Sequence, residues 1–349
     1  MKKLFALMAV LLAVAMLAGC VGTTVVVNDC TCDGNHSNQP TTPSVPAGEG
    51  SVKTGVSVTT SVADSKDGEI KYDVTIAAVT VNDEGVICAC TIDSIPATVK
   101  VDENGNLVDL AESVPTKNEL GADYGMVAWG GAIAEWDAQV KALCDFAIGK
   151  TVAELKNGAI DETGKAPEGS DLASSATIYL GGFVGAIEAA AANAKHLGAQ
   201  NGDKLIIATN NKVSASASAT AEADGLAQLD ADIAVVTEKD GKITSCIIDS
   251  VQAKINFDGT GKILSDLTAP IKTKNELGAD YGMVAWGGAI AEWNEQAAAF
   301  AQYVTGKTAA EVAGIAITET TKPADGSDLA SSVTIAIGGF QALIAKALA

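Results

Sequence analysis

A short polar loop that ends in a threonine occurs twice in this chain. Residues 171–177 read Asp-Leu-Ala-Ser-Ser-Ala-Thr, and residues 328–334 read Asp-Leu-Ala-Ser-Ser-Val-Thr. Each copy precedes a short apolar run that is typical of a strand. A threonine hydroxyl is a poor nucleophile unless a base or a metal activates it. The only two histidines, His36 and His196, belong to neither loop. We therefore predict no catalytic residue at either threonine and no hydrolase activity.

Written as D-x-x-S-S-[AV]-T, the loop resembles the flavinylation motif of FMN-binding domains, D-x-x-[ST]-G-A-[ST]. The chain departs from this motif at Ser175 and Ser332, where the family has Gly, and at Val333, where it has Ala. The second copy therefore departs further than the first. By this resemblance the cofactor-binding residues are Thr177, Thr334, Asp171, Asp328, Ser174, Ser175, Ser331 and Ser332.

In the FMN-binding family a separate flavin transferase esterifies the last hydroxyl of the motif with the phosphate of FMN. The resemblance implies that Thr177 and Thr334 take this phosphate, and that Asp171 and Asp328 help the transferase engage the loops. Members include the flavin subunits of ion-pumping NADH:quinone reductases and extracellular electron-transfer lipoproteins of Gram-positive bacteria. The implied function is an electron carrier that has no substrate turnover of its own, with a membrane donor and an extracellular acceptor as partners.

The N-terminus is typical of a bacterial lipoprotein. Lys2 and Lys3 precede an apolar stretch over residues 4–16, and residues 17–20 read Leu-Ala-Gly-Cys, which resembles a lipobox. The apolar stretch is shorter than the roughly 20 residues that cross a bilayer. We expect a signal peptide over residues 1–19, lipidation of Cys20 and attachment to the outer face of the cytoplasmic membrane.

Residues 20–50 are rich in Asn, Thr, Ser, Pro and Gly, which predicts a flexible linker. Cys30, Cys32 and His36 lie in this linker and supply an incomplete set of tetrahedral ligands, so we predict no metal site. The other cysteines are Cys88, Cys90, Cys144 and Cys246. Their spacing does not describe a dense disulfide framework.

The chain is strongly acidic, with a formal net charge of −20 and no arginine. Nucleic-acid binding needs a basic surface, so this function is excluded. The same composition offers little to hold a free phosphate by ion pairing. A covalent bond would replace that missing affinity with a high effective concentration.

Residues 116–136 are repeated without a change as residues 273–293, and the two threonine loops show the same offset. Units of about 150 residues have the size of ordinary domains. We therefore expect two tandem duplicated domains, over residues 51–198 and 199–349. Strand patterns come first in each unit and helical patterns follow, which predicts an α+β fold with helices packed on one face of a mainly antiparallel sheet.

Alternating or β-branched runs predict the strands of both units. The predicted strands cover residues 55–63, 69–81, 86–95 and 97–101, and then 205–220, 230–237, 243–251 and 253–257. A long helix is predicted to carry Trp129, Ile133 and Trp136 on one apolar face and to end near Gly149. Thr151 and Thr308 open capping boxes of a second short helix. A last helix is expected over residues 183–194 and 340–348.

The repeated block has two interpretations that the sequence leaves open. The residues Tyr124, Met126 and Trp129, with their copies Tyr281, Met283 and Trp286, either belong to the core or contact a flavin ring. Lys117 and Lys274 either approach the phosphate or are solvated at a helix start. Two further functions also remain open, a non-redox surface or adhesion module and a lipoprotein that binds a small solute between its units.

Overall fold

A computed structural model describes residues 50–349 of the protein. The predicted signal peptide, the predicted lipidation site Cys20, most of the predicted linker, Cys30, Cys32 and His36 lie outside these residues. Within residues 50–349, no helix has the length and apolarity that a membrane span requires.

Two antiparallel sheets make up the centre of the described chain. The first has five strands in the order β4-β3-β2-β1-β5, and the second has three in the order β6-β7-β8. The strands are β1 Ser51–Ser61, β2 Glu69–Val81, β3 Ile87–Val101, β4 Leu107–Val108, β5 Lys195–Gln200, β6 Lys204–Lys212, β7 Gly225–Lys239 and β8 Lys242–Phe257. The predicted α+β composition and antiparallel pairing are thus confirmed, and the expected unit boundary at 198/199 falls within β5.

The helices follow the strands in each half and occur in the same order. They are α1 Lys117–Leu120, α2 Met126–Gly130, α3 Trp136–Ala147, α4 Val152–Ala159, α5 Gly181–Ala192, α6 Lys274–Leu277, α7 Met283–Gly287, α8 Trp293–Val304, α9 Ala309–Ala313 and α10 Gly338–Ala347. The predicted capping boxes at Thr151 and Thr308 are confirmed, because each threonine accepts from the N–H of the glutamate three residues on.

The sheets and helices form four layers. The two sheets pack face to face through one apolar core, to which Ile70, Tyr72, Leu229 and Phe257 all contribute. Helices α3 and α5 cover the outer face of the first sheet, and α8 and α10 cover the outer face of the second. The Tyr72 hydroxyl donates to the Ala227 carbonyl at 2.9 Å and joins the two sheets. The two halves of the sequence therefore share their largest core.

Two predicted strand breaks are wrong. Strand β3 runs without interruption through Pro96, which lies opposite Asp73 of β2. Proline has no N–H to give to a ladder, but β4 pairs with β3 only at Lys100 and Val101, so no bond is lost there. The corresponding β8 is also continuous. Strand β6, in contrast, ends at Lys212 rather than at residue 220.

The apolar runs that follow the two loops are not strands, contrary to the prediction. The N–H of Leu180 donates to the Gly164 carbonyl, and that of Ile337 donates to the Thr321 carbonyl, each at 2.8 Å. Their backbone groups are satisfied by these loop contacts instead of a ladder. Leu180 and Ile337 are both fully buried and lead directly into α5 and α10.

The predicted start of the long helix is also wrong. Helix α3 begins at Trp136, and α2 ends before it, where Gly131 has a left-handed φ of 62°. Such a residue ends a helix without a steric penalty because it has no Cβ. Trp129 and Ile133 therefore leave the apolar face, and the indole of Trp129 is 88% exposed.

Candidate functional site

The two threonine loops have closely similar conformations. Each contains a single 3₁₀ turn, at Leu172–Ser174 and Leu329–Ser331, and each is anchored by its buried leucine. The Ser174 hydroxyl donates to the Asp171 carbonyl at 2.6 Å, and the corresponding bond in the second loop is 2.7 Å long. The side chains of Asp171, Ser174, Ser175 and Thr177 are exposed, as are those of Asp328, Ser331 and Ser332. Thr334 is half-buried.

A buried glutamine holds each threonine. The side-chain oxygen of Gln139, on α3, accepts from the N–H of Thr177 at 2.8 Å, from its hydroxyl at 3.3 Å and from the N–H of Ile178 at 3.2 Å. Its amide nitrogen donates to the Ala134 carbonyl at 2.8 Å. Gln139 has no exposed surface, so these bonds satisfy a polar group that would otherwise be costly to bury.

The second half repeats this arrangement. The side-chain oxygen of Gln296 accepts from the N–H of Thr334 at 2.7 Å and from its hydroxyl at 3.2 Å. Sequence reasoning missed both glutamines. The available signal was a polar residue on the apolar face of the predicted helix, at the same offset in both halves.

The repeated block is attached to the sheets by buried carboxylates. Asp93 accepts from the N–H of Asn118 at 3.2 Å, and Asp249 accepts from that of Asn275 at 3.1 Å. Burial raises the pKa of Asp93, and it raises the pKa of Asp249 to about 6. A further carboxylate, that of Glu135, accepts from the N–H groups of the first turn of α2 at 2.8 and 3.1 Å.

The sequence alternatives for the block are partly resolved. Lys117 is buried, pairs with Asp73 at 2.9 Å and lies 5.2 Å from the Trp136 ring, so its interpretation as a solvated lysine is wrong. Tyr124 and Met126 pack against the core under α3. Trp129 does not, and its copy Trp286 is 89% exposed.

A shallow groove of about 370 Å³ runs between α3 and the first threonine loop. It is lined by Ile133, Ala134, Ala138, Lys141, Ala142, Asp145, Ser174 and Ser175. Its one lysine, Lys141, is paired with Asp145 across one turn of α3. One side of the groove is thus mainly apolar and comes from the repeated block and α3, and the other side carries the serine hydroxyls of the loop.

Within residues 50–349, no group of three or more His, Cys, Asp or Glu side chains is arranged to hold a metal ion. Cys88, Cys90, Cys144 and Cys246 are all free thiols. A hydrogen bond with Cys144, together with burial, raises the pKa of Cys90, and burial raises that of Cys246 to about 12. A raised pKa disfavours the thiolate form, so neither Cys90 nor Cys246 is poised as a thiolate nucleophile.

No protein-family model matches the chain, and comparisons with curated proteins and with solved structures find no similar protein.

Proposed function

We propose that this protein is a membrane-anchored extracytoplasmic flavoprotein electron carrier with FMN esterified to Thr177 and to Thr334, built from two tandem duplicated domains. The observation that carries the proposal is the threonine site itself. Two hydroxyls at equivalent positions lie on surface loops, and each is held by a buried glutamine at nearly the same distance, 3.3 and 3.2 Å.

The residues at the loops fit a phosphoester. A transferase needs access to the hydroxyl, and the Thr177 side chain is exposed together with Ser174 and Ser175. Gln139 holds the backbone on both sides of the hydroxyl, so the loop presents it in one orientation. The exposed Ser175 hydroxyl can donate to a phosphate oxygen, whereas the single O–H of Ser174 is already used on the Asp171 carbonyl. Bound FMN would supply one- and two-electron transfer.

Electrostatics favour a covalent bond over reversible binding at this site. The one lysine of the groove is already paired with Asp145, so little positive charge remains for a free phosphate. A permanent bond also keeps the cofactor on a protein that faces the cell exterior. The chain itself would position the group and leave its attachment to a separate transferase.

The remaining parts of the proposal concern partners and location. Lipidation of Cys20 would anchor the protein in the bilayer, and the linker that follows would let the folded part reach a membrane donor and an extracellular acceptor. The acidic composition supports a partner other than nucleic acid.

The test is the intact mass of protein co-expressed with a flavin transferase. Wild-type protein should gain two FMN groups, each less one water, and its fluorescence should survive denaturation. Thr177→Ala and Thr334→Ala should each lose one group, whereas Thr177→Ser should keep it because the hydroxyl remains. Thr268→Ala, at an exposed loop outside the motif, is the matched control. No mass gain with a transferase that is active on another substrate would refute the proposal.

A non-redox surface module remains the second candidate, and the exposed Trp129 and Trp286 favour it. Exposed aromatic side chains are common anchors for binding partners. Such a module would be colourless after co-expression with the transferase. The solute-binding alternative finds no support between the halves, because the described chain has a packed apolar core there.

A further inference from the structure

Two tryptophan side chains, those of Trp129 and Trp286, are exposed to solvent, although most apolar side chains of the described residues are buried. Trp129 is 88% exposed and Trp286 is 89% exposed. Each lies in the block that is identical in the two halves, and each has an exposed apolar neighbour, Ile133 or Ile290. An exposed tryptophan that has a second exposed apolar side chain four residues away is a candidate for a binding surface.

The tryptophans are exposed but held in place. A Cβ on Gly125 would overlap the Trp129 indole, so the ring edge packs directly on the glycine backbone. Gly125 has a φ of 80°, which a residue with a side chain rarely adopts. Glu135 fixes the first turn of α2 beneath the ring through two backbone N–H groups. The second half repeats this support with Gly282 and Glu292.

The turn that carries Trp129 leads into the groove of the threonine loop. Ile133 and Ala134 line one side of that groove, and Ser174 and Ser175 line the other. Gln139 spans the two sides, because its amide bonds both the Ala134 carbonyl and the Thr177 N–H at 2.8 Å. The threonine loop and the segment that follows Trp129 therefore line one groove.

We infer that Trp129 and Trp286 are the stacking platforms for the isoalloxazine rings of the FMN groups attached to Thr177 and Thr334. This inference rests on the proposed function. A ring tethered at Thr177 through its ribityl chain can reach only nearby surface, and Ile133, four residues after Trp129, lines the groove beside the loop. Isoalloxazine is flat and electron-poor, and an exposed indole face provides an electron-rich partner for offset stacking.

The experiment uses the flavinylated full-length protein in the Thr334→Ala background, so that only Thr177 carries FMN. Trp129→Ala is compared with Trp286→Ala, a matched control in the other half. Intact mass reports the loading, and the ratio of native to denatured flavin fluorescence reports ring stacking, because a stacked indole quenches the flavin. We expect strong native quenching, a severalfold rise in the ratio for Trp129→Ala and no change for Trp286→Ala. Trp129→Phe should retain part of the quenching.

The outcomes separate the inference from the proposed function. FMN in the mass spectrum with an unchanged ratio in Trp129→Ala would overturn the platform and leave the carrier proposal standing. An equal rise in both variants, or loss of loading in Trp129→Ala, would also overturn it. Absence of FMN from the parent protein would refute the carrier proposal itself. Because Trp129 is almost fully exposed, its replacement should leave the far-ultraviolet circular dichroism and the melting temperature unchanged.

Discussion

Replacement of Gln139 by leucine tests how the structure holds the threonine hydroxyl. The change removes an acceptor for three donors and a donor to the Ala134 carbonyl, while leucine fills a similar volume. Each hydrogen bond contributes about 1 kcal/mol net, and water can replace only the bond to the exposed hydroxyl of Thr177. We expect the free energy of unfolding to fall by about 3 kcal/mol.

Urea unfolding measures this loss, and hydrogen exchange locates it. The amides of Thr177 and Ile178 should exchange faster in Gln139→Leu, whereas those of Thr334 and Ile335 should not change. The control substitution Gln302→Leu, on the exposed side of α8, should lower the free energy of unfolding by less than about 0.5 kcal/mol. If Gln139→Leu costs no more than this control and the two amides keep their protection, the glutamine does not hold the loop and our reasoning is wrong.

Three further predictions concern the fold. The pKa of Asp249 is raised by burial from 3.8 to about 6, so its contribution to stability is present below pH 4 and is lost as the pH rises to 6. The free energy of unfolding of wild type relative to Asp249→Asn should therefore fall over this range, by up to about 1.4 kcal/mol per pH unit in urea titrations. Neither residues 51–198 nor residues 199–349 should fold as a monomer, because the sheets share one core, and circular dichroism with sedimentation would show this. Thr321 has a φ of 58°, and Thr321→Gly should raise stability by about 1 kcal/mol in thermal unfolding, whereas Thr320→Gly should lower it.

Each of these predictions has a clear contrary result. If the difference in the free energy of unfolding between wild type and Asp249→Asn does not change between pH 4 and 6, the pKa of Asp249 is not raised in the folded protein. Cooperative unfolding of a monomeric half would show that the shared core is not required. A loss of stability in Thr321→Gly would mean that the threonine side chain contributes more than its backbone strain costs.

Much of the local structure was predictable from short-range pattern. Residues 69–81 alternate between apolar and polar side chains over their first half and are rich in β-branched residues, and they form a strand with the predicted bounds Glu69–Val81. The capping boxes at Thr151 and Thr308 begin helices because side chain and backbone satisfy each other within four residues. The order of strands followed by helices also favoured the antiparallel α+β composition. These features depend on interactions between neighbours in sequence, which a single sequence displays directly.

The site depended on contacts between distant residues. Gln139 lies 38 positions from Thr177, and its place on the apolar face of the predicted helix does not say which distant group it binds. Trp129 has the spacing of a core residue, yet Gly131 ends its helix and the neighbouring layers leave the indole outside. The pairing of the two sheets through one core likewise follows from which apolar faces meet. The sequence by itself thus determined most of the strands, the capped helix starts and the repeated loops, whereas tertiary packing decided which polar group was buried beside the threonine and which aromatic ring stayed in water.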